Sequence, residues 1–144
     1  LSKQSSSLCE FRLIDEDGLD VMAGEVGEIV VRGPTLFSGY WNAPEVNAKD
    51  FREDWFHMGD LLRQTSSGGF EFVGRSKYMI KSGGENIYPA EIERVLLADA
   101  RIAEAAVVRK RDPKWGEIVA AFIARSPTVG ANELLGADIE KVCR

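Results

Sequence analysis

The 144-residue chain has few of the residues that build metal or redox centres. It has two cysteines, Cys9 and Cys143, and one histidine, His57, so no Cys/His zinc spacing can be assembled. The two thiols read as reduced and unrelated. Eighteen basic residues face 23 acidic ones, a net charge of −5. That excludes a general nucleic-acid binder with a broad basic face, but not an anionic small ligand held by a few local cations. No apolar run is long enough to span a bilayer. Neither GxxxxGK[ST] nor a GxGxxG after a strand occurs, which removes the ordinary P-loop and Rossmann assignments. Leu1 is not an initiator methionine, and Leu1 to Ser7 lacks a signal-peptide pattern. The expectation is a chain that begins and ends inside a larger, cytoplasmic polypeptide.

What is present divides into two halves. Glu10 to Asp15 alternates like a strand, Asp15-Glu16-Asp17-Gly18 is a turn, and Glu28 to Arg32 is a second, β-rich strand ended by Gly33-Pro34. Asn42-Ala43-Pro44-Glu45 has the form of a helix start, with Asn42 as capping side chain, for a short helix over Pro44 to Asp50. Leu61 to Gln64 and Phe70 to Val73 are expected as strands around Ser66-Ser67-Gly68-Gly69. The second half opens with Pro89 at a first helical position, followed by Glu91 and Glu93. Ile92, Val95 and Leu96 would form the buried face of that helix. Ala105 to Val108 and Ile118 to Ala124 are strand candidates around a turn at Arg111-Asp112-Pro113-Lys114. A last amphipathic helix is expected over Ala137 to Arg144, with Ile139 and Val142 inward.

The chemistry-bearing residues concentrate in Gly74 to Glu93. Gly83-Gly84 reads either as a plain turn or as a place where a ligand approaches the backbone too closely for a Cβ. Arg75, Lys77 and Lys81 alternate so as to share one side of an extended strand, either as a wet face or as several donors to one anion. Asp60, after Gly59, is a turn aspartate or an acceptor for a diol such as ribose. His57 has no partner identifiable in the sequence, so no acid–base role is assigned to it. Trp115 either stacks on a flat ring or seals a turn.

Taken together, Gly27-Glu28-Ile29-Val30-Val31-Arg32-Gly33-Pro34 through Gly39-Tyr40-Trp41, then Trp55-Phe56-His57-Met58-Gly59-Asp60-Leu61, then Gly74 to Glu93, resemble three ordered motifs of the adenylate-forming acyl-CoA synthetase superfamily. That family includes acyl- and aryl-CoA ligases, luciferases and peptide-synthetase adenylation domains. The resemblance implies a two-step reaction. A carboxylate attacks ATP to give an acyl-adenylate and pyrophosphate, and a thiol such as CoA then displaces AMP. It implies that Asp60 and Arg75 bind the nucleotide ribose, that Lys77 is the hinge, and that Lys81 serves the thioester-forming step. It further implies that Gly83 and Gly84 line the CoA channel and that Trp115 contacts CoA. Met58 stands where the family usually has threonine, and Tyr78 where it usually has aspartate.

The fold so implied is α+β: a short antiparallel β-subdomain over 1–76, the end of the large AMP-binding domain, followed by a small, C-terminally incomplete α+β lid domain over 77–144. The family's phosphate loop and acyl-pocket motifs would precede Leu1, and its adenylation lysine would follow Arg144. The expectation is therefore a fragment of a ligase whose partners are ATP, CoA, a small carboxylic acid and the rest of its chain, inactive alone, with no nucleic-acid partner. Mg2+ is expected for the parent enzyme, with no ligand to it in this stretch. Met79 to Glu93 resembles aryl-, benzoate- or medium-chain acyl-CoA ligases most. The alternatives are an adenylation domain that loads a carrier-protein thiol, and a non-catalytic binding or regulatory module of the same fold.

Overall fold

The computed structural model describes residues 8–130, 134 and 136–142. It divides into two compact units, 1–77 and 78–144. Both are antiparallel sheets with few helices, an α+β architecture.

The first unit is one sheet: β1 (Glu10–Ile14), β2 (Val26–Arg32), β3 (Phe51–Arg52), β4 (Trp55–Gln64) and β5 (Phe70–Arg75). The order is β1-β2-β4-β3, and β5 also pairs with β4. β3 takes the first residues of β4 and β5 takes the last ones, so the two lie along the same edge. Leu13, Ile14, Val30, Leu61, Leu62 and Val73 form the buried apolar set. Helix α1 (Pro44–Asp50) starts at a proline whose missing N–H a helix does not need. Asn42 does not cap it. The N-cap is Ala43, with no side-chain cap, and Asn42 instead turns the chain at φ 51°. Asparagine tolerates that left-handed region better than most residues.

A 3-10 turn, Ser76–Tyr78, follows β5. The second unit has the sheet order β7-β6-β9-β8, from β6 (Ile80–Ser82), β7 (Glu85–Ile87), β8 (Ile102–Asp112) and β9 (Gly116–Arg125). Helix α2 (Pro89–Leu97) and helix α3 (Gly136–Val142) complete it. Ile80 and Leu96 are fully buried and gather Ile102, Val107 and Leu134, with Ile87, Ile92, Val119 and Ile139 packed around them. Val95, expected on the buried face of α2, is exposed; Ile92 and Leu96 carry that face instead. Glu93 bridges α2 to the sheet, its Oε1 accepting the Val107 N–H at 2.8 Å. β8 is an edge strand, and this carboxylate takes one backbone donor on it.

The strand candidates at 61–64, 105–108 and 118–124 lie inside longer strands. β3, β6 and β7 were not anticipated; each is only two or three residues long, too short to show an alternating pattern. Cys143, Arg144 and the inward turn expected of the Val142 side chain lie outside the described residues. Among the described residues no helix is long and apolar enough to cross a membrane.

Candidate functional site

The site residues fall into two sets, one in each unit. In the first unit, Asp60 on β4 and Arg75 on β5 are direct cross-strand partners. Arg75 Nε lies 2.8 Å from Asp60 Oδ1, and Arg75 Nη1 donates to the Met58 carbonyl at 3.0 Å. Asp60 Oδ1 is buried, yet no donor is aligned on it as a hydrogen bond, so its contact with Arg75 is ionic. Arg75, Ser76 and Lys77 line a cleft of about 290 Å3 together with Glu28, Arg52 and His57.

The backbone here is distorted for a definite reason. β2 and β4 are in register at Glu28↔Leu61 and again at Val30↔His57. Between these pairs, Ile29 alone stands opposite Met58, Gly59 and Asp60, so β4 bulges outward. Gly59 absorbs the bulge at φ 70°. Its N–H donates to the Glu28 side chain, Oε1, at 3.0 Å. The same carboxylate, through Oε2, lies 3.5 Å from His57 Nδ1. Arg52 Nη2 lies 2.6 Å from that nitrogen. A guanidinium only donates, so in this contact Nδ1 is the acceptor. His57 therefore has partners after all. One, Glu28, comes from β2 far back in the chain; the other, Arg52, comes from β3, five residues away across its pairing with β4.

Sequence alternation put Arg75, Lys77 and Lys81 on one strand face, and the structure corrects this. β5 ends at Arg75, Lys77 sits in the 3-10 turn, and Lys81 lies on β6. The turn breaks the two-residue period on which that expectation rested.

The second set is built on the β6–β7 hairpin. Gly83 and Gly84 form its two-residue loop, at φ 59° and 91°, between the paired Ser82 and Glu85. Two positive φ values in succession are the pattern of a type I′ turn. A Cβ at Gly83 would stand 2.7 Å from Trp115 Cε3, whereas one at Gly84 would meet nothing within 4 Å. The Gly83 N–H donates to the Trp115 carbonyl at 3.1 Å. Trp115 is half exposed, with the Lys114 ammonium 4.4 Å from its ring centroid. Asp112 shapes this loop, its Oδ1 accepting the N–H groups of Lys114 and Trp115 at 2.9 Å each. The hairpin joins the rest of the sheet through one register pair, Ser82↔Gly116. A side chain supplements it: Glu117 Oε2 accepts the Lys81 N–H at 3.0 Å, while Oε1 lies 3.4 Å from Arg109 Nη1.

Sequence reasoning missed Glu28, Arg52 and Glu117. Glu28 and Glu117 each directly follow a glycine, but their backbone partners lie about thirty residues away in the chain.

Residues 91–144 match the AMP-binding enzyme C-terminal domain family. The chain is 47% identical over 115 residues to an indoleacetate–CoA ligase of Aromatoleum aromaticum, covering 80% of this chain and 22% of that protein. It is 42% identical over 136 residues to a 2-succinylbenzoate–CoA ligase of Bacillus cereus, covering 94% and 28%. Among solved structures it superposes on the o-succinylbenzoate CoA synthetase of Bacillus subtilis in complex with its acyl-adenylate intermediate. There the TM-score is 0.81 at 35% identity, over 95% of this chain and 27% of that one. An amide bond synthetase from Marinactinospora thermotolerans gives a TM-score of 0.85 at 28% identity, over 96% and 28%. The chain thus spans about a quarter of the length of the relatives it matches.

Proposed function

Since the chain belongs to the adenylate-forming acyl-CoA ligase superfamily, we propose that it supplies the nucleotide-ribose grip and the thioester-step residues of an ATP-dependent acyl- or aryl-CoA synthetase. The observation that carries this is the Asp60–Arg75 pair, locked in cross-strand register beside an open cleft. With Arg75 against Oδ1, Oδ2 is the acceptor offered to a ribose hydroxyl, and the guanidinium screens the carboxylate from the nucleotide's own negative charge. Lys77 is the pivot between the two units. Lys81, on a hairpin fixed by Glu117 and Trp115, serves the step in which the thiol displaces AMP. Gly84 keeps the hairpin tip bare for the pantetheine arm, and Trp115 offers its exposed ring to CoA. The catalytic gain would come from positioning and local electrostatics. Among the described residues no group of three or more His, Cys, Asp or Glu gathers that could hold a metal ion.

CoA is favoured as acceptor because the relatives with 47% and 42% identity are named CoA ligases, while the amide bond synthetase shares 28%. The test is direct. AMP added to the purified, isotope-labelled chain should shift the amide resonances of Gly59, Asp60 and Arg75, and Asp60→Ala should abolish the shifts. The chain by itself should release no pyrophosphate from ATP when a carboxylic acid is added. AMP shifts that survive Asp60→Ala would refute the ribose assignment. Carboxylate-dependent pyrophosphate release would refute the dependence on residues beyond this stretch.

A further inference from the structure

We propose that Glu28 is a positioning residue for Asp60, acting through the Gly59 amide; the inference rests on the reading of Asp60 as the ribose carboxylate. The bulge in β4 takes three residues, Met58 to Asp60, out of the β2 ladder, where one residue, Ile29, stands opposite them. A backbone N–H removed from a ladder must find another acceptor or lose a hydrogen bond's worth of free energy. Gly59 finds it in the Glu28 side chain at 3.0 Å. Glu28 is only 22% exposed, and its other oxygen faces His57, whose side chain is 12% exposed. A charged acceptor in such surroundings makes a stronger bond than a neutral one.

The consequence for Asp60 is geometric. Its position is set from two sides: by the Gly59 peptide, which Glu28 holds in a left-handed conformation, and by Arg75 across the β5 pairing. Arg75 itself leans on the Met58 carbonyl, inside the same bulge. Loss of the Glu28 acceptor frees the bulge to relax toward regular pairing. That would displace Asp60, because the two extra residues held in the bulge between Glu28↔Leu61 and Val30↔His57 would have to be taken up elsewhere along β4. His57, which Arg52 contacts at 2.6 Å, lies 3.5 Å from the Glu28 oxygen that Gly59 does not use. Glu28 thus acts on the nucleotide through the backbone, without touching it.

The experiment uses the same labelled chain with two readouts: hydrogen exchange of the Gly59 amide, and AMP affinity from the shifts. Glu28→Ala should speed Gly59 exchange about tenfold and weaken AMP by a similar factor, the loss expected for a hydrogen bond to a charged group. Glu28→Gln retains an acceptor oxygen and should keep both within about threefold of the unmodified chain. Unchanged Gly59 exchange in Glu28→Ala overturns the proposal, and so does faster exchange with unchanged AMP affinity. If Glu28→Gln fails as badly as Glu28→Ala while the other amides stay protected, the acceptor role is likewise overturned. Failure of the ribose reading looks different. AMP affinity would then be insensitive to Asp60→Ala, while the exchange readout still reports whether Glu28 holds Gly59.

Discussion

Gly83 and Gly84 look equivalent in the sequence and are not equivalent in the fold. Both have positive φ, but only Gly83 lies under the Trp115 ring. Gly83→Ala should therefore destabilise the chain by about 1–3 kcal/mol, combining left-handed strain with displacement of the indole. Gly84→Ala should lose about 1 kcal/mol, from backbone strain alone. Urea unfolding of the two variants checks the difference, and equal losses would remove Trp115 from the account. A second residue-scale expectation concerns pH. The side-chain hydrogen bond from Arg101, assisted by the Arg101 backbone N–H, lowers the Asp99 carboxyl from its ordinary 3.8 to about 2. Because the folded value lies below the unfolded one, the stability it contributes is full above about 3.8. That contribution is lost as pH falls toward about 2. Asp99→Asn should erase this part of the acid dependence and leave stability near neutrality insensitive to pH; acid titrations of unfolding midpoints check it.

Proline was the most reliable punctuation. Pro44 and Pro89 each open a helix at the expected residue, because a fixed φ and a missing N–H suit the first helical turn. Periodicity served less well within α2, where Leu96 is fully buried and Val95 faces outward. Nine residues make only two and a half turns, so a one-position error in the face is easily made. Leu96→Ala should cost about 2–5 kcal/mol by opening a cavity beside Ile80 and Ile102. Val95→Ala should change stability by about 0.5 kcal/mol or less. Thermal unfolding of both distinguishes the faces. The β4 bulge could not be read locally at all. It exists only in the register between strands about thirty residues apart, and strand propensity carries no information about where a ladder skips. The motif around Asp60 was thus legible as a resemblance, while the support that Glu28 gives it was not.

At the scale of the molecule, Asp60 and Arg75 belong to the first unit, while Lys81, Gly83, Gly84 and Trp115 belong to the second. If the proposed roles hold, the two half-reactions respond separately to substitution. In an enzyme carrying this chain, Lys81→Ala should slow thioester formation by about tenfold or more and leave adenylation nearly unchanged. Rapid-quench measurements of each half-reaction decide this, and equal slowing of both would end the assignment. The sequence order of the motifs groups Arg75 with Lys81, although Arg75 pairs with Asp60 on the neighbouring strand of its own sheet. It could not anticipate that a 3-10 turn, rather than a continuing strand, stands between Arg75 and Lys81. That turn has a consequence for how such chains diversify. Each grip is assembled from side chains of its own sheet, so a recombination crossover between Lys77 and Tyr78 would cut through neither. A single splice there would carry over the Asp60–Arg75 pair, the β4 bulge and the Glu28–Gly59 hydrogen bond intact.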